Sequence, residues 1–340
     1  MGPRRRRGHC VCRRHTPTYF VFEAGRAMRR RDLLNLLVGM GAGLAASKLG
    51  IAGAAPLARF KLGFTTDEVT QDLEAALQFA REFGLRWVEI RNLWNKYVTD
   101  TTLDEARKAK ELLDRYGIRL SVLDTAVFKC ALPGHKLAGN RKDDYPWTEQ
   151  EALLKRAIER SEILDTRFIR IFSFWDVEDP EAAYPAVIEQ IQKAAELARK
   201  ADRVLLVENV GGGLVESSAE SVKLMKAVSS PHLGLAWDPG NAFCGGEKPF
   251  PDGYSLLDLK RVHHIHLRDA GFDPGTKRCQ WLPVGKGTVD NLGLLRALVK
   301  DGFTGTLSLE THYQRPDKNK ELATRESLQG LLAVVKLVSG

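Results

Sequence analysis

Four apolar runs in the second half of the chain each end in a residue that can bind a metal ion or move a proton. Leu205-Leu206-Val207 leads to Glu208, and Leu235-Ala236-Trp237 leads to Asp238. His264-Ile265-His266 runs on into Leu267-Arg268-Asp269, and Leu307-Ser308-Leu309 leads to Glu310. Taken singly, such residues are ordinary: a lone Glu at a strand end is commonly a salt-bridge partner, and a lone His such as His232 or His264 is commonly structural. Together they form a pattern. If the four runs are neighbouring strands, three carboxylates and an imidazole converge, and buried carboxylates without a partner are costly. A divalent cation between them removes that repulsion. A hard cation held by oxygens and one imidazole is also the group that polarises a carbonyl.

The elements that would bring these ends together recur along the chain from residue 59. Strand-like runs fall at Phe60–Thr65, Trp87–Arg91, Arg119–Asp124, Phe168–Phe174, Val204–Asn209, Leu233–Asp238, Val262–Leu267 and Thr306–Glu310. Between them, Asp67–Phe83, Leu103–Tyr116, Thr148–Leu164, Glu181–Lys200, Ser217–Ala227 and Val289–Lys300 carry apolar residues at helical spacing, as does Asn319–Val338 after the last strand. The Gly/Pro-rich connection before Val262 has room for one short helix, Tyr254–Leu259. Gly84 and Gly117 fall where helices end and a left-handed residue is needed. Thr148 and Glu151 make a capping-box pattern. Strands separated by helices pair in parallel through right-handed crossovers. Eight such units predict a closed (β/α)8 barrel over 55–340, whose active site lies at the C-terminal strand ends. An open doubly wound sheet would show a Gly-rich turn after its first strand, and Phe64-Thr65-Thr66-Asp67 is not one.

The charge of the chain points away from nucleic acid. Its net charge is +8 over 340 residues, but residues 1–54 hold 11 Lys/Arg against 2 Asp/Glu. The remainder carries 40 basic and 41 acidic residues, so the barrel has no general attraction to phosphate backbones. The basic leader reads as an export signal: Arg29-Arg30-Arg31, an apolar Gly/Ala-rich run, then Ala52-Gly53-Ala54 as an A-x-A cleavage site. The paired arginines are of the twin-arginine type, which exports folded proteins. The chain is therefore expected to be periplasmic or extracellular; a membrane anchor is the alternative, although the glycine-broken run is short for a span. Met28 could start translation, leaving 1–27 as an unused extension, and Cys10, Cys12, His9 and His15 there lack a second pair for a zinc site. Cys130, Cys244 and Cys279 allow at most one bridge after export.

The segments Val207-Glu208-Asn209, Trp237-Asp238-Pro239-Gly240-Asn241, His264-Ile265-His266-Leu267-Arg268-Asp269 and Leu309-Glu310 resemble the xylose-isomerase-like barrel family. Gly285-x-Gly287-x-Val289-Asp290 and Gly302-Phe303-x-Gly305 match its pattern as well. That family takes in sugar epimerases, hydroxypyruvate isomerase, inosose dehydratase and the more distant endonuclease IV. The resemblance implies that Glu208, Asp238, His266 and Glu310 hold one divalent ion (Mn²⁺, Mg²⁺, Co²⁺ or Zn²⁺) and that Glu208 and Glu310 are the acid/base pair. It implies a metal-dependent isomerase or epimerase of a sugar or sugar derivative, working by proton transfer through an enediolate. A keto-sugar lyase or dehydratase on the same site and a non-catalytic sugar-binding barrel are the alternatives. Val210-Gly211 and Asn241 stand where many relatives have histidines, and none of the mature part's histidines lies in the first four strands, which speaks against endonuclease chemistry. Glu89, Asn241, His264 and Arg268 are the expected substrate-binding residues, although Glu89 could equally serve a salt bridge and Arg268 could pair with Asp269. Trp94, Phe174, Trp175 and Trp281 are candidate aromatic walls. The expected partners are a small carbohydrate and the twin-arginine export machinery, and self-association stays open.

Overall fold

A computed structural model describes residues 59–339. The leader, with its arginines, its proposed cleavage site and Cys10 and Cys12, lies outside the described residues. Eight strands form one parallel sheet: β1 (Lys61–Phe64), β2 (Trp87–Ile90), β3 (Arg119–Asp124), β4 (Phe168–Ile171), β5 (Val204–Glu208), β6 (Leu233–Trp237), β7 (Val262–Leu267) and β8 (Thr306–Leu309). From β2 to β8 each pairs with its sequence neighbour, and β8 returns to pair with β1. The β1–β2 seam is joined by a parallel bridge between Thr65 and Glu89, where the Thr65 hydroxyl donates to Glu89 Oε2 at 3.1 Å. The sheet is thus a barrel, as the alternating pattern predicts.

Eight helices follow the strands: α1 (Leu73–Glu82), α2 (Leu103–Tyr116), α3 (Gln150–Ile163), α4 (Pro180–Lys200), α5 (Ser218–Ala227), α6 (Pro239–Cys244), α7 (Asn291–Lys300) and α8 (Lys320–Ser339). Their apolar stripes turn inward. Leu77, Leu113, Leu153, Ile191, Leu295 and Leu328 are fully buried between helix and sheet, each burial contributing roughly 1.5–3 kcal/mol. Among the described residues no helix is long and apolar enough to cross a membrane.

The departures from expectation are local. The helix expected from Asp67 begins at Leu73, because the Asp72 carboxylate accepts the Glu74 and Ala75 amides and starts a new N-terminus. Thr66–Glu68 form instead a separate turn that aims Asp67 and Glu68 at the barrel mouth. No side chain caps α3, so the Thr148/Glu151 box does not form; capping boxes occur at Thr102/Glu105 and Ser217/Glu220. Gly117 is left-handed at the end of α2, with φ 62°. The connection after β6 holds α6, unexpected from its Gly/Pro content, and only Tyr254–Leu256 of the predicted short helix forms. Pro239 suits the first helical position and Asp238 caps it, so local chemistry starts a helix that periodicity could not reveal.

Candidate metal centre

The four strand-end residues meet. One ligand atom from each of Glu208, Asp238, His266 and Glu310 lies within 4.8 Å of all the others. All four are buried, at 4 % exposure or less. His266 Nδ1 stands at the middle, 3.1 Å from Glu208 Oε1, 3.4 Å from Glu310 Oε2 and 3.5 Å from Asp238 Oδ2. Asp238 is fixed from both ends. Its Oδ1 accepts the Asn241 amide as the cap of α6, and its own amide donates to Asn209 Oδ1, both at 2.8 Å. That leaves Oδ2 buried and facing the cluster, where the Arg268 guanidinium contacts it closely.

Behind the ring of His266, Glu89 Oε1 lies 2.9 Å from Nε2. An Nε2–H donated to that carboxylate leaves the Nδ1 lone pair for the site, the arrangement that orients metal-binding histidines. Glu89 and His264 are both fully enclosed. His264 lies 3.3 Å from Glu89 through Nε2 and 2.6 Å from the Thr306 hydroxyl through Nδ1. The structure therefore places these two expected substrate contacts inside the barrel, behind His266, where they position it. The β7 alternation explains this: residues 264 and 266 share the inner face, and β2 delivers Glu89 to the same layer. Asn241 reaches Glu208 Oε1 at 3.4 Å and the Asn209 carbonyl at 3.0 Å.

Arg268 belongs to the cluster and not to Asp269. Its guanidinium contacts Glu310 and Asp238 closely and approaches Glu208 at 3.8 Å. Asp269 is taken up by backbone amides of Ala270, Gly285, Gly287 and Val289 at 2.9–3.1 Å, which is what the Gly-x-Gly segment does. Three further groups of cations and anions escaped the sequence reading. Arg91 binds Glu310 at 2.6 Å, Glu68 at 2.7 Å and Asp67 at 3.0 Å. Arg170, inward on β4, contacts Asp124 at 3.0 Å and Glu208 at 3.3 Å. His312 Nε2 lies 3.2 Å from Glu310 and 3.4 Å from Glu68. A single charge inside the run Phe168-Ile169-Arg170-Ile171 was the one available signal for Arg170. Of the four aromatic candidates, Phe174 and Trp175 are buried, Trp94 lies beneath Lys108, and Trp281 alone reaches the cluster, 4.7 Å from the Arg268 guanidinium.

The electrostatics follow from burial against neighbours. Burial alone would raise the carboxyls of Glu208 and Glu310. Arg170 and His266 instead hold Glu208 below the usual carboxylate range, and Arg268, His312 and His266 hold Glu310 well below it. Burial disfavours a charged His266, but Glu89, Glu208 and Glu310 more than reverse this and raise it well above an ordinary histidine. Glu208 and Glu310 are thereby favoured in their ionised form, and Arg91, Arg170 and Arg268 supply part of the positive charge they need. The fit to a divalent ion is good on two counts: converging O and N donors, and a histidine braced from behind by a carboxylate.

Cys244 and Cys279 are bridged and Cys130 is free and buried, in keeping with the single bridge allowed by the count.

The chain is 23% identical over 264 residues to SgbU of Escherichia coli (strain K12), a proposed L-ribulose-5-phosphate 3-epimerase, covering 74% of this chain and 88% of that one. Among solved structures, the IOLI protein with a bound zinc atom is similar with a TM-score of 0.65 at 18% identity, over 82% of this chain and 99% of that one. The probable 3-DHS dehydratase AsbF of Bacillus anthracis is similar with a TM-score of 0.61 at 14% identity, over 83% and 99% respectively. The family model for the xylose isomerase-like TIM barrel matches residues 77–334, and the chain belongs to that family.

Proposed function

We propose that the protein is a divalent-metal-dependent isomerase or epimerase of a sugar or sugar derivative. The observation that carries this reading is the meeting of Glu208 and Glu310, from strands on different sides of the mouth, at one imidazole nitrogen with Asp238 completing the set. When bound there, a divalent ion would polarise the substrate carbonyl and neutralise charge developing on its oxygen. Glu208 and Glu310 then take a proton from the carbon beside that carbonyl and return one. Their low basicity is suited to this only once the carbon acid is activated. Arg268 and Asn241 hold substrate oxygens, while Glu89 and His264 hold His266. The epimerase name borne by the curated relative supports the same class.

Incubating metal-loaded protein with keto- and aldo-sugars in D₂O tests it. Solvent deuterium in an isomerised or epimerised product is the expected result. An elimination product would replace the reading by a lyase, and tight sugar binding without exchange would make the barrel a binding protein.

We also propose export by the twin-arginine route, supported by Arg29-Arg30-Arg31 and by a bridge of the kind that persists in oxidising compartments. Replacing Arg30 and Arg31 with Lys should retain the precursor in the cytoplasm, and normal secretion of that variant would reject the route.

A further inference from the structure

Two segments leave the barrel mouth beside the centre. One is α6, which starts from Asp238 and ends at Cys244. The other is a hairpin that starts immediately after Arg268, in which Asp269–Phe272 pairs antiparallel with Cys279–Leu282. The Cys244–Cys279 bridge joins them. Phe243 against Phe272, with ring centroids 5.2 Å apart, makes the same connection by packing.

Arg268 lies between these two segments and is 1 % exposed. On the α6 side stands Gly240, where a Cβ would come within 2.4 Å of Arg268 Cγ and 2.7 Å of Cδ. Glycine is therefore needed there to let the arginine stem pass. On the hairpin side stands Trp281, its ring 4.7 Å from the guanidinium carbon. The same ring meets His312 edge-on at 5.8 Å, and His312 Nδ1 lies 2.8 Å from Arg268 Nη1. The first hairpin strand is anchored through Asp269 to the amides of Gly285, Gly287 and Val289. The second strand, which carries Trp281, is the one the bridge holds.

We propose that the Cys244–Cys279 bridge sets the width of a slot, walled by Gly240 and Trp281, that positions Arg268 for substrate recognition. Trp281 and the bridge are then positioning elements, acting through Arg268 on a substrate hydroxyl or carboxylate; the identity of that ligand rests on the sugar-isomerase reading above. An arginine carries considerable rotamer freedom, and binding is stronger when that freedom is already spent. A guanidinium over an indole face is attracted to it electrostatically. Opening the bridge frees the Trp281 strand and so removes one wall of the slot, while Arg268 keeps its contacts to Glu310 and Asp238, and Asp238 keeps its cap and its Asn209 contact. Substrate affinity should suffer and metal content should not.

The test uses the metal-loaded, oxidised enzyme with and without tris(2-carboxyethyl)phosphine, beside a Cys244→Ser/Cys279→Ser double variant, Trp281→Leu and Trp281→Phe. Reduction, the double variant and Trp281→Leu should each raise KM about tenfold, as loss of a desolvated cation–π contact would. They should leave kcat within about twofold, and Trp281→Phe should recover most of the affinity because a ring face remains. An unchanged KM on opening the bridge, or a loss of metal accompanying the change, would overturn the proposal. Hydrogen exchange decides the matter even if no sugar is turned over. Faster exchange of the 269–282 amides on reduction, with metal retained, is expected; unchanged exchange rejects the slot whatever the fate of the isomerase reading.

Discussion

The two mouths of this barrel are built on opposite terms. The mouth at the C-terminal strand ends is filled with charge: Glu208, Asp238, His266, Arg268 and Glu310 are all buried there, packed against one another. The opposite mouth holds a cavity of about 520 Å³ lined by side chains such as Trp87, Phe168, His263 and Phe303. Two cations there lie against a ring: Lys61 and Arg119 approach the Trp87 ring at 6.0 and 5.7 Å. The lesson is about cost. Ionised groups are expensive to bury, so a cluster of them marks a site that something must repay, whereas an aromatic hollow costs the fold little and demands no ligand. Conserving charge at one end and packing at the other is the division of labour expected of such barrels.

The sharpest way to break this contrast is at Glu310. Glu310→Gln removes a proton acceptor and one ligand charge at the functional mouth while keeping the side chain's shape. Turnover should fall by roughly 10²–10⁴-fold, as for loss of a general acid or base. The metal content must be measured in the same sample, because a weaker site would lower activity too. A metal-replete variant that still exchanges substrate hydrogen with solvent at the parent rate would remove Glu310 from the mechanism, and the charged mouth would lose its catalytic reading.

A smaller effect is expected one layer deeper, at Glu89. This carboxylate is fully buried and touches His266 and His264, not the open mouth. Burial opposes its ionisation, yet the two histidines hold it well below the usual carboxylate range. If its task is to aim His266 Nδ1, Glu89→Gln should weaken metal binding by about 10–100-fold, the usual scale for such bracing groups. Competition against a chelator of known affinity measures this without any substrate. Unchanged affinity together with a raised KM would return Glu89 to the substrate pocket.

The fate of Glu89 shows where sequence reading stops. The four candidate ligands were legible because each ends an apolar run, and the barrel makes all strand ends neighbours. The eight strands and most helices were legible because periodicity is a local property. What Glu89 touches was not legible: its partner His266 is 177 residues away, and no local signal says which inward side chains share a layer. Arg91, Arg170 and His312 escaped for the same reason, since each is defined by partners on other strands. The late start of α1 and the existence of α6 turned on side-chain caps at Asp72 and Asp238, where one hydrogen bond outweighs composition. The pairing of Cys244 with Cys279 depended on α6 and the hairpin being side by side, which nothing in the cysteine spacing states.

The smallest expected effect lies at the other mouth and concerns stability alone. His263 faces the hollow at the start of β7, its ring stacked on Phe168 with centroids 5.1 Å apart. Burial is the main reason its basicity is lowered from that of an ordinary histidine, and the positive charges of Arg261 and Arg167 act in the same direction. The folded state thus resists protonation more than the unfolded chain does. Above the unfolded value, near 6.5, both states are neutral and the group contributes nothing that varies with pH. As pH falls from there toward the lowered folded value, the unfolded state takes up the proton first, so stability declines; below the folded value both are protonated and the decline stops. His263→Phe keeps a ring against Phe168 and removes the proton. Denaturant midpoints of parent and variant, followed from pH 7.5 to 4.5, should converge as the pH drops through 6.5 if the variant starts less stable, and separate in the variant's favour if it starts level. The difference between the two curves isolates this residue from the other histidines. Parallel curves across that interval would mean that His263 titrates alike in both states, and that the hollow does not disfavour its charge.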